Sequence, residues 1–495
     1  MTKRITAAML YDAIRCPHRV TLDLFGAPAD RDQITAFVQL LWDRGYAYEQ
    51  EIIRGLNVPF ANLSSLSGDE KEAATLDAIN RGDALVYSGR ITAMDLVGEP
   101  DLLRREGLGY VAGDIKSGAG LEGANEDSDG RPKKHYAVQL ALYTEILEGI
   151  GVSAGRTPFV WDIHADEVRY DLDSPQGQRK PESLWDSYQK ILDLVRAIVS
   201  GRHHTLPALM SDCKLCHWRT LCKKHVREAG DLTLIPELGR ATRDAMVSTI
   251  PTIDDLARAD IGTWTKGKKT VFPGIGPDSL RKFQTRARLL THPDAKPYVV
   301  HPVDLPPANT ELFFDIETDP MRNICYLHGF VERKNSGDPA ERYHSFLATS
   351  PTPEEEERAF AEAWAYIRSR RPCTIYYYSK YERTWWRQLQ QRHPAVATQQ
   401  DIEAIFDRSV SVDLYFDLQG CIEWPTNDYS VKTLATYLGF TWRDQEPSGA
   451  ASIEWYHRWV ESGDPAIRQR ILDYNEDDCL AMRVLLDGVR ALTAG

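Results

Sequence analysis

The sequence predicts a multidomain α/β protein in which two α/β regions flank a helical connector, and three observations carry that reading. Residues 1–228 alternate helical and strand-like segments. Residues 229–300 read as a helical connector, and a proline-rich stretch, HPVDLPPA at 301–308, follows them. ELFFDIETDP then opens a second alternating pattern that lasts to the C-terminus.

Composition narrows the class. The chain has 495 residues, 42% hydrophobic and 26% charged, ordinary values for a water-exposed globular protein of several domains. No apolar run reaches the ~18 residues needed to span a bilayer, so no membrane partner is expected. The opening MTKRITAAMLYDAIRCPHR is too polar for a signal peptide, and a cytoplasmic location is the expectation. Eight cysteines are few for a disulfide scaffold, yet Cys213, Cys216 and Cys222 crowd together, which in a reducing compartment reads as metal binding. The net charge of −13 is a whole-chain average; local basic patches decide nucleic-acid binding.

In the first region, a helix over about 32–56 precedes strands near 84–97, 100–105 and 109–116, a polar loop at 121–134 and a helix over 135–149. GEPDLLRREGLGYVAGDIKSG at 98–118 reads as a β-hairpin with Asp101 on its first strand. Asp114 and Lys116 on the second strand share a face. A lysine beside metal-binding acids can hold an attacking hydroxide and steady a pentavalent phosphate. The helix from 135 presents Gln139 and Tyr143 four residues apart, hence on one face. Glu49, in RGYAYEQEII, sits on a helix that would complete the acidic set. Cys213, Cys216 and Cys222 have the spacing C-x2-C-x5-C, and Cys16 lies far upstream. Four thiolates suit an iron–sulfur cluster; zinc with His217 or His225 is the other candidate.

In the connector, FPGIGPDSLRKFQTRARLL at 272–290 places a Gly-x-Gly turn before a basic amphipathic helix, a helix-hairpin-helix-like pattern that would offer backbone amides to a phosphate. Lys266, Lys268, Lys269, Arg281, Lys282, Arg286 and Arg288 make it the most basic stretch; a plain solvated face is the competing reading.

In the last region, ELFFDIET reads as a buried strand, Glu311 to Ile316, ending in Asp315 and Glu317. Two acids at i and i+2 on an apolar strand are costly unless they hold a cation, and Mg²⁺ or Mn²⁺ suits such oxygens. Glu382 opens a helix after an aromatic strand, and Asp413 closes a later one. YSVKTLATYLGF at 429–440 reads as a small helix with a glycine stop. A helix from Pro465 carries Tyr474 and Asp478 on one face. Trp385 and Trp386 read as packing, PEEEERAF at 353–360 as a solvated helical turn, and Cys325, Cys373, Cys421 and Cys479 as core.

These motifs carry resemblances. Asp101, the Asp114–Lys116 pair and the Gln139/Tyr143 pair resemble the PD-(D/E)XK superfamily in its RecB-type branch. That branch often has a histidine where this chain has Tyr48, leaving Glu49 as the replacement. The split cysteines resemble RecB-type nucleases that bear a 4Fe–4S cluster, which implies Cys16, Cys213, Cys216 and Cys222 as ligands. Asp315, Glu317, Tyr474 and Asp478 resemble the tyrosine branch of the DEDD exonucleases on an RNase H-like fold. That family usually has an aspartate in its second motif, where this chain offers Glu382, with Asp413 as the alternative. As a whole the chain resembles a RecB-like nuclease family with an added exonuclease domain. The resemblance implies a nuclease domain at 1–228, a connector at 229–300 and a 3′–5′ exonuclease domain at 309–495. It implies a metal-dependent DNA nuclease using Mg²⁺ or Mn²⁺, acting on single-stranded DNA or DNA ends in repair or recombination. Asp315 would bridge two ions, Glu317 and Asp478 would complete their shells, and Tyr474 would orient or help deprotonate water. The alternatives are an iron–sulfur DNA-binding adaptor with inactive sites, and an RNA-directed exonuclease.

Overall fold

A computed structural model describes residues 3–123, 130–177, 181–306, 309–334, 340–445 and 447–493. It divides into two units, one of Met1–Ile34, Val38–Pro207 and Ser211–Cys222, the other of Thr35–Phe37, Ala208–Met210 and Lys223–Gly495.

The first unit is built on a mixed six-stranded sheet. Its strands are β1 (Ala61–Asn62), β2 (Leu85–Tyr87), β3 (Leu102–Glu106), β4 (Gly109–Ile115), β5 (Phe159–Trp161) and β6 (Glu167–Arg169), and they neighbour one another in that order. β3 and β4 form the expected antiparallel hairpin, and β4 pairs β5 in parallel. Every residue of β4 is buried, as its apolar run requires. Its Gly113 is needed for space, because a Cβ there would run into the Phe159 ring. The helices are α1 (Ala7–Arg15), α2 (Pro17–Phe25), α3 (Ala36–Arg54), α4 (Gly68–Arg81), α5 (Lys134–Gly149) and α6 (Leu184–Val199). α5 is the central one, burying Val138, Leu140, Leu142, Tyr143 and Ile146 among others. It packs against β4, α1 and α6, so truncating Leu140 to alanine would cost ~2–5 kcal/mol.

Three details differ from the sequence reading. Asp101 stands one residue before β3 and Lys116 one residue after β4, so both acid-bearing ends lie where the ladder stops. The stretch at 84–97 breaks into β2 and the short strands Ile91–Ala93 and Leu96–Gly98. The loop at 121–134 pairs its ends, Leu121–Glu122 with Arg131–Pro132, while 124–129 lie outside the described residues.

The second unit holds a five-stranded sheet of β7 (Thr310–Asp319), β8 (Ile324–Lys334), β9 (Arg342–Leu347), β10 (Thr374–Tyr377) and β11 (Ser411–Asp413), in the order β9-β8-β7-β10-β11. The β7–β8–β9 pairs are antiparallel; β10 and β11 add in parallel. Its helices are α7 (Pro277–Thr291), α8 (Pro353–Arg370), α9 (Tyr381–Arg392), α10 (Val431–Tyr437), α11 (Gly449–Ser462) and α12 (Pro465–Thr493). Alternation along β7 sorts its side chains. Leu312, Phe314 and Ile316 pack with Phe360, Ile367, Trp386 and Leu389 of α8 and α9. Phe313 packs on the other face with Met482, Leu485 and Leu486 of α12. Asp315 and Glu317 follow Phe313 at steps of two, so β7 delivers both to the α12 side.

The connector lies in the same unit as β7–β11. Its α7 is not an open basic strip. Arg286 is fully buried: its Nε donates to Glu423 Oε2 at 2.7 Å, its Nη1 to Glu237 Oε2 at 2.8 Å, and it lies over the Tyr429 ring. Lys282 also donates to Glu237, at 2.6 Å, and Arg288 to the Ala257 carbonyl, at 2.9 Å. A buried guanidinium must be matched by carboxylates, so Arg286 binds the fold and not a phosphate. Lys266, Lys268 and Lys269, on a small hairpin, do stay exposed. Glu356, read as solvated, is buried and accepts from Arg392 at 2.6 Å, with His393 at 2.9 Å. Trp385 and Trp386 are buried as expected, whereas Cys373 and Cys421 are only half-buried. α11 has no counterpart in the sequence reading. Among the described residues, no helix is long and apolar enough to cross a membrane.

Candidate active sites

In the second unit β7 and α12 bring Asp315, Glu317 and Asp478 together, with one oxygen of each within 4.8 Å of the others. The stripe Tyr474–Asn475–Asp478–Met482–Leu485 of α12 is buried, so the acid and Asn475 ride on a face that continues as apolar core. Each carboxylate has an orienting partner. Asn475 Nδ2 donates to Asp315 Oδ2 at 2.7 Å and Trp442 Nε1 to Asp478 Oδ1 at 2.7 Å. Tyr326 lies 3.5 Å from Glu317 Oε2. Lys432, on α10, places Nζ 2.9 Å from the Tyr474 hydroxyl and 3.5 Å from Asp478 Oδ1.

The approach of Asn475 depends on a glycine. Gly329 of β8 pairs across the ladder with Asp315. A Cβ at Gly329 would collide with Asn475 Oδ1 and stand 2.7 Å from its Cγ. Asn475 Oδ1 itself accepts from the Tyr343 hydroxyl at 2.8 Å.

Crowding of like charge away from water shows in the titration of the group. Burial and then Asp478 push the Glu317 carboxyl up to about 8. Burial, Asp478, Glu317 and Glu382 hold Asp315 well above the usual carboxylate range, and Lys432 pulls it down. Asp478 is raised by burial and lowered by Lys432 and Trp442. Three acids this expensive to ionise are what a divalent cation would relieve. Tyr474 is also pushed far up, by burial and by Asp478. Its hydroxyl stands beside Asp478 and accepts from Lys432 Nζ at 2.9 Å.

The two second-motif candidates separate. Asp413 Oδ1 accepts the backbone N–H groups of Ser379, Tyr415 and Phe416 at 2.9, 3.0 and 3.1 Å. It caps a turn in which Ser379 adopts a left-handed φ of 74°. Glu382, at the start of α9, is buried and raised well above its ordinary value, chiefly by burial. Its Oε2 has no hydrogen-bond partner among the described residues. Asp413 is spent on backbone; Glu382 has an oxygen to offer, and its charge already bears on Asp315.

In the first unit Asp101 and Asp114 stand at the open end of the β3–β4 hairpin. Asp101 Oδ2 accepts the Ile115 N–H at 2.7 Å, and Lys116 Nζ lies 2.8 Å from Asp114 Oδ2. Burial, then Asp114, pushes Asp101 up to about 8; Glu49 adds to the rise and Lys116 opposes it. Lys116 is itself raised, the two aspartates outweighing its burial, and stays an ammonium. Glu49 on α3 accepts from the Tyr87 hydroxyl at 2.7 Å. Tyr48 turns the other way and donates to the Asp162 carbonyl. On α5, Gln139 Oε1 is buried without a partner among the described residues, and Tyr143 lies against Gly98 and 3.5 Å from the Glu99 carbonyl.

Cys16, Cys213 and Cys216 lie near one another. Cys16 opens α2, and its charge and that of Cys213 bear on Cys216, whose thiol burial pushes up while the Trp218 N–H pulls it down. Cys222 is buried one turn into the helix Arg219–Glu228. His217 is engaged elsewhere, its Nε2 at 2.7 Å from Asp23 Oδ1, and His225 is exposed.

The sequence reading missed Lys432, Trp442, Asn475 and Gly329. Only Asn475 left a signal: asparagine is a poor helix former, yet it sits on the apolar stripe beside Tyr474.

Comparison with known families agrees with the two-part division. Residues 312–489 match the RNase H superfamily, and residues 16–223 match the PD-(D/E)XK nuclease superfamily. No curated protein matches the chain.

Proposed function

We propose that this chain, a metal-dependent nuclease joining a PD-(D/E)XK nuclease region to an RNase H superfamily region, cuts DNA at two separate sites. The observation that carries the reading is the convergence of Asp315, Glu317 and Asp478 within 4.8 Å. We assign these three, with Glu382, as holders of Mg²⁺ or Mn²⁺ in the second unit, and Asp101, Asp114 and Glu49 in the first. Ions bound there supply charge neutralisation for the phosphate and a water of lowered pKa.

The protein's own groups do the rest. Asn475 and Trp442 fix the Asp315 and Asp478 carboxylates, which keeps the site preorganised. Tyr474, protonated and held by Lys432, orients a water or phosphate oxygen through its hydroxyl. In the first unit Lys116, an ammonium, stabilises negative charge on the phosphate and does not remove a proton. We assign Tyr143, which lies near both aspartates, and Gln139, one turn before it on α5, to the same site, where the buried Gln139 carbonyl is available to a ligand hydrogen.

The substrate we favour is single-stranded DNA or single-stranded ends, in repair or recombination, as the resemblance implies. We assign Cys16, Cys213, Cys216 and Cys222 to a 4Fe–4S cluster. The bearing of Cys16 and Cys213 on Cys216, a backbone donor to Cys216 and the diversion of His217 to Asp23 support thiolate ligation over a Cys/His zinc site. Protein purified without oxygen should absorb near ~400 nm and lose that band in Cys216→Ser; colourless protein with stoichiometric zinc would overturn the assignment.

Digestion of end-labelled single-stranded DNA in Mg²⁺ tests the main reading. Asp114→Asn and Asp315→Asn should each remove part of the activity, and the double variant all of it. Unchanged cleavage in the double variant would refute the reading and leave a DNA-binding adaptor; cleavage confined to RNA would redirect it to that polymer.

A further inference from the structure

Helix α3 is 19 residues long, yet its only buried residue is Ile53. Trp42 and Tyr46 on it are 55% and 66% exposed. Four residues apart, they share a stripe that Glu49, three residues on, continues. At ~1.5 Å of rise per residue, the backbone positions that carry the two rings are ~6 Å apart along the axis, and that of Glu49 lies ~4.5 Å beyond Tyr46.

The stripe leads into the acidic site. Glu49 is held by the Tyr87 hydroxyl, and its charge bears on Asp101. Between the two rings, Gly45 passes the residues that follow β4: a Cβ there would be 3.8 Å from Ser117 Oγ, next to Lys116. Two large rings displayed on the helix that carries a site carboxylate are not core, and on one face they offer aromatic surface next to the site.

Aromatic rings beside a nuclease site suit one ligand chemistry. A base offers a π-face to either ring whatever its identity. Both rings stand open to solvent on one helix face, so a base can lie against them. Bases within a duplex are already stacked and cannot enter; unpaired ones can. We propose that Trp42 and Tyr46 form a stacking platform that seats an unpaired base of the strand entering the Asp101–Asp114 site. This rests on the nuclease reading of that site.

The test uses the full chain carrying Asp315→Asn, so that only the first site cuts. Substrates are end-labelled oligothymidylate and a strand of the same length built of abasic residues, both in Mg²⁺. Trp42→Ala and Tyr46→Ala should each raise KM on oligothymidylate about tenfold, with the loss falling on KM more than on kcat. Trp42→Phe should restore most of it. On the abasic strand the alanine variants should match their parent. An unmoved KM, or equal losses on both strands, would overturn the proposal. So would self-association in sedimentation that Trp42→Ala abolishes while DNA KM stays put, which would give the face to a second copy. Failure of the underlying reading is separately visible, because Asp114→Asn in the same background would then cut as well as its parent.

Discussion

Replacing Gly329 with alanine perturbs the second site without touching a carboxylate. The new Cβ would occupy the place of Asn475 Oδ1 and lie 2.7 Å from its Cγ and 3.1 Å from Tyr343 Cε2. Asn475 sits on a packed helix and cannot withdraw, so its side chain must swing away. Two hydrogen bonds go with it, from Asn475 to Asp315 at 2.7 Å and from Tyr343 to Asn475 at 2.8 Å. Burial favours the neutral form of Asp315 and a bond between neutral groups contributes ~1 kcal/mol, so the unit should lose about 2 kcal/mol, or ~4–8 °C in Tm. Loss of the group orienting Asp315 should also lower activity at this site ~10–100-fold. The assay is a double-mutant cycle read by thermal melting and by digestion in an Asp114→Asn background. With Asn475→Ala already present only the 3.1 Å contact with Tyr343 Cε2 remains, and adding Gly329→Ala should cost no more than about 1 kcal/mol. A full penalty in that background, or none in the wild type, would refute the packing argument.

Other outcomes follow from the same geometry. Asp478→Asn should abolish cleavage at the second site while raising the melting temperature of the metal-free protein at a pH above about 8, where the crowded acids ionise; a lower metal-free Tm there would contradict this. Lys432 lowers Asp315, Glu317 and Asp478, so Lys432→Met should move the acidic limb of the pH–rate profile upward, and an unmoved limb would count against its role. Glu317 and Asp101 are each pushed up to about 8. Acids raised on folding contribute stability in full below their unfolded values near 4, which is lost as pH rises through about 8. Mg²⁺ replaces those protons, so its stabilising effect should be larger at high pH than near ~6; equal Tm gains at both would be evidence against metal at these carboxylates.

Much of this was legible because the chemistry is local. Asp315 and Glu317 sit at i and i+2 on an apolar strand, and Tyr474 and Asp478 at i and i+4 on a helix, so period alone put each pair on one face. β4 was visible as a continuous apolar run ending in acid and lysine. Residues whose roles come from long-range packing were not legible. Lys432 reaches Tyr474 only because α10 packs on α12, and Gly329 matters only because it pairs with Asp315 under Asn475. Arg286 shows the opposite error: a basic residue on an amphipathic helix reads as solvated until its buried partners, Glu237 and Glu423, come from distant segments. Helix α11 buries the polar Ser452 and His457 beside Ile453 and Trp455, so its inner face does not read as an apolar stripe.

Crystals of the full chain soaked in Mn²⁺ and measured at the manganese absorption edge address the carboxylate assignments most directly. Anomalous peaks should lie among Asp315, Glu317 and Asp478 and beside Asp101 and Asp114. A map with no peak at either group, or with manganese held only elsewhere, would mean that these acids do not gather cations and that the hydrolysis assigned to them has no basis.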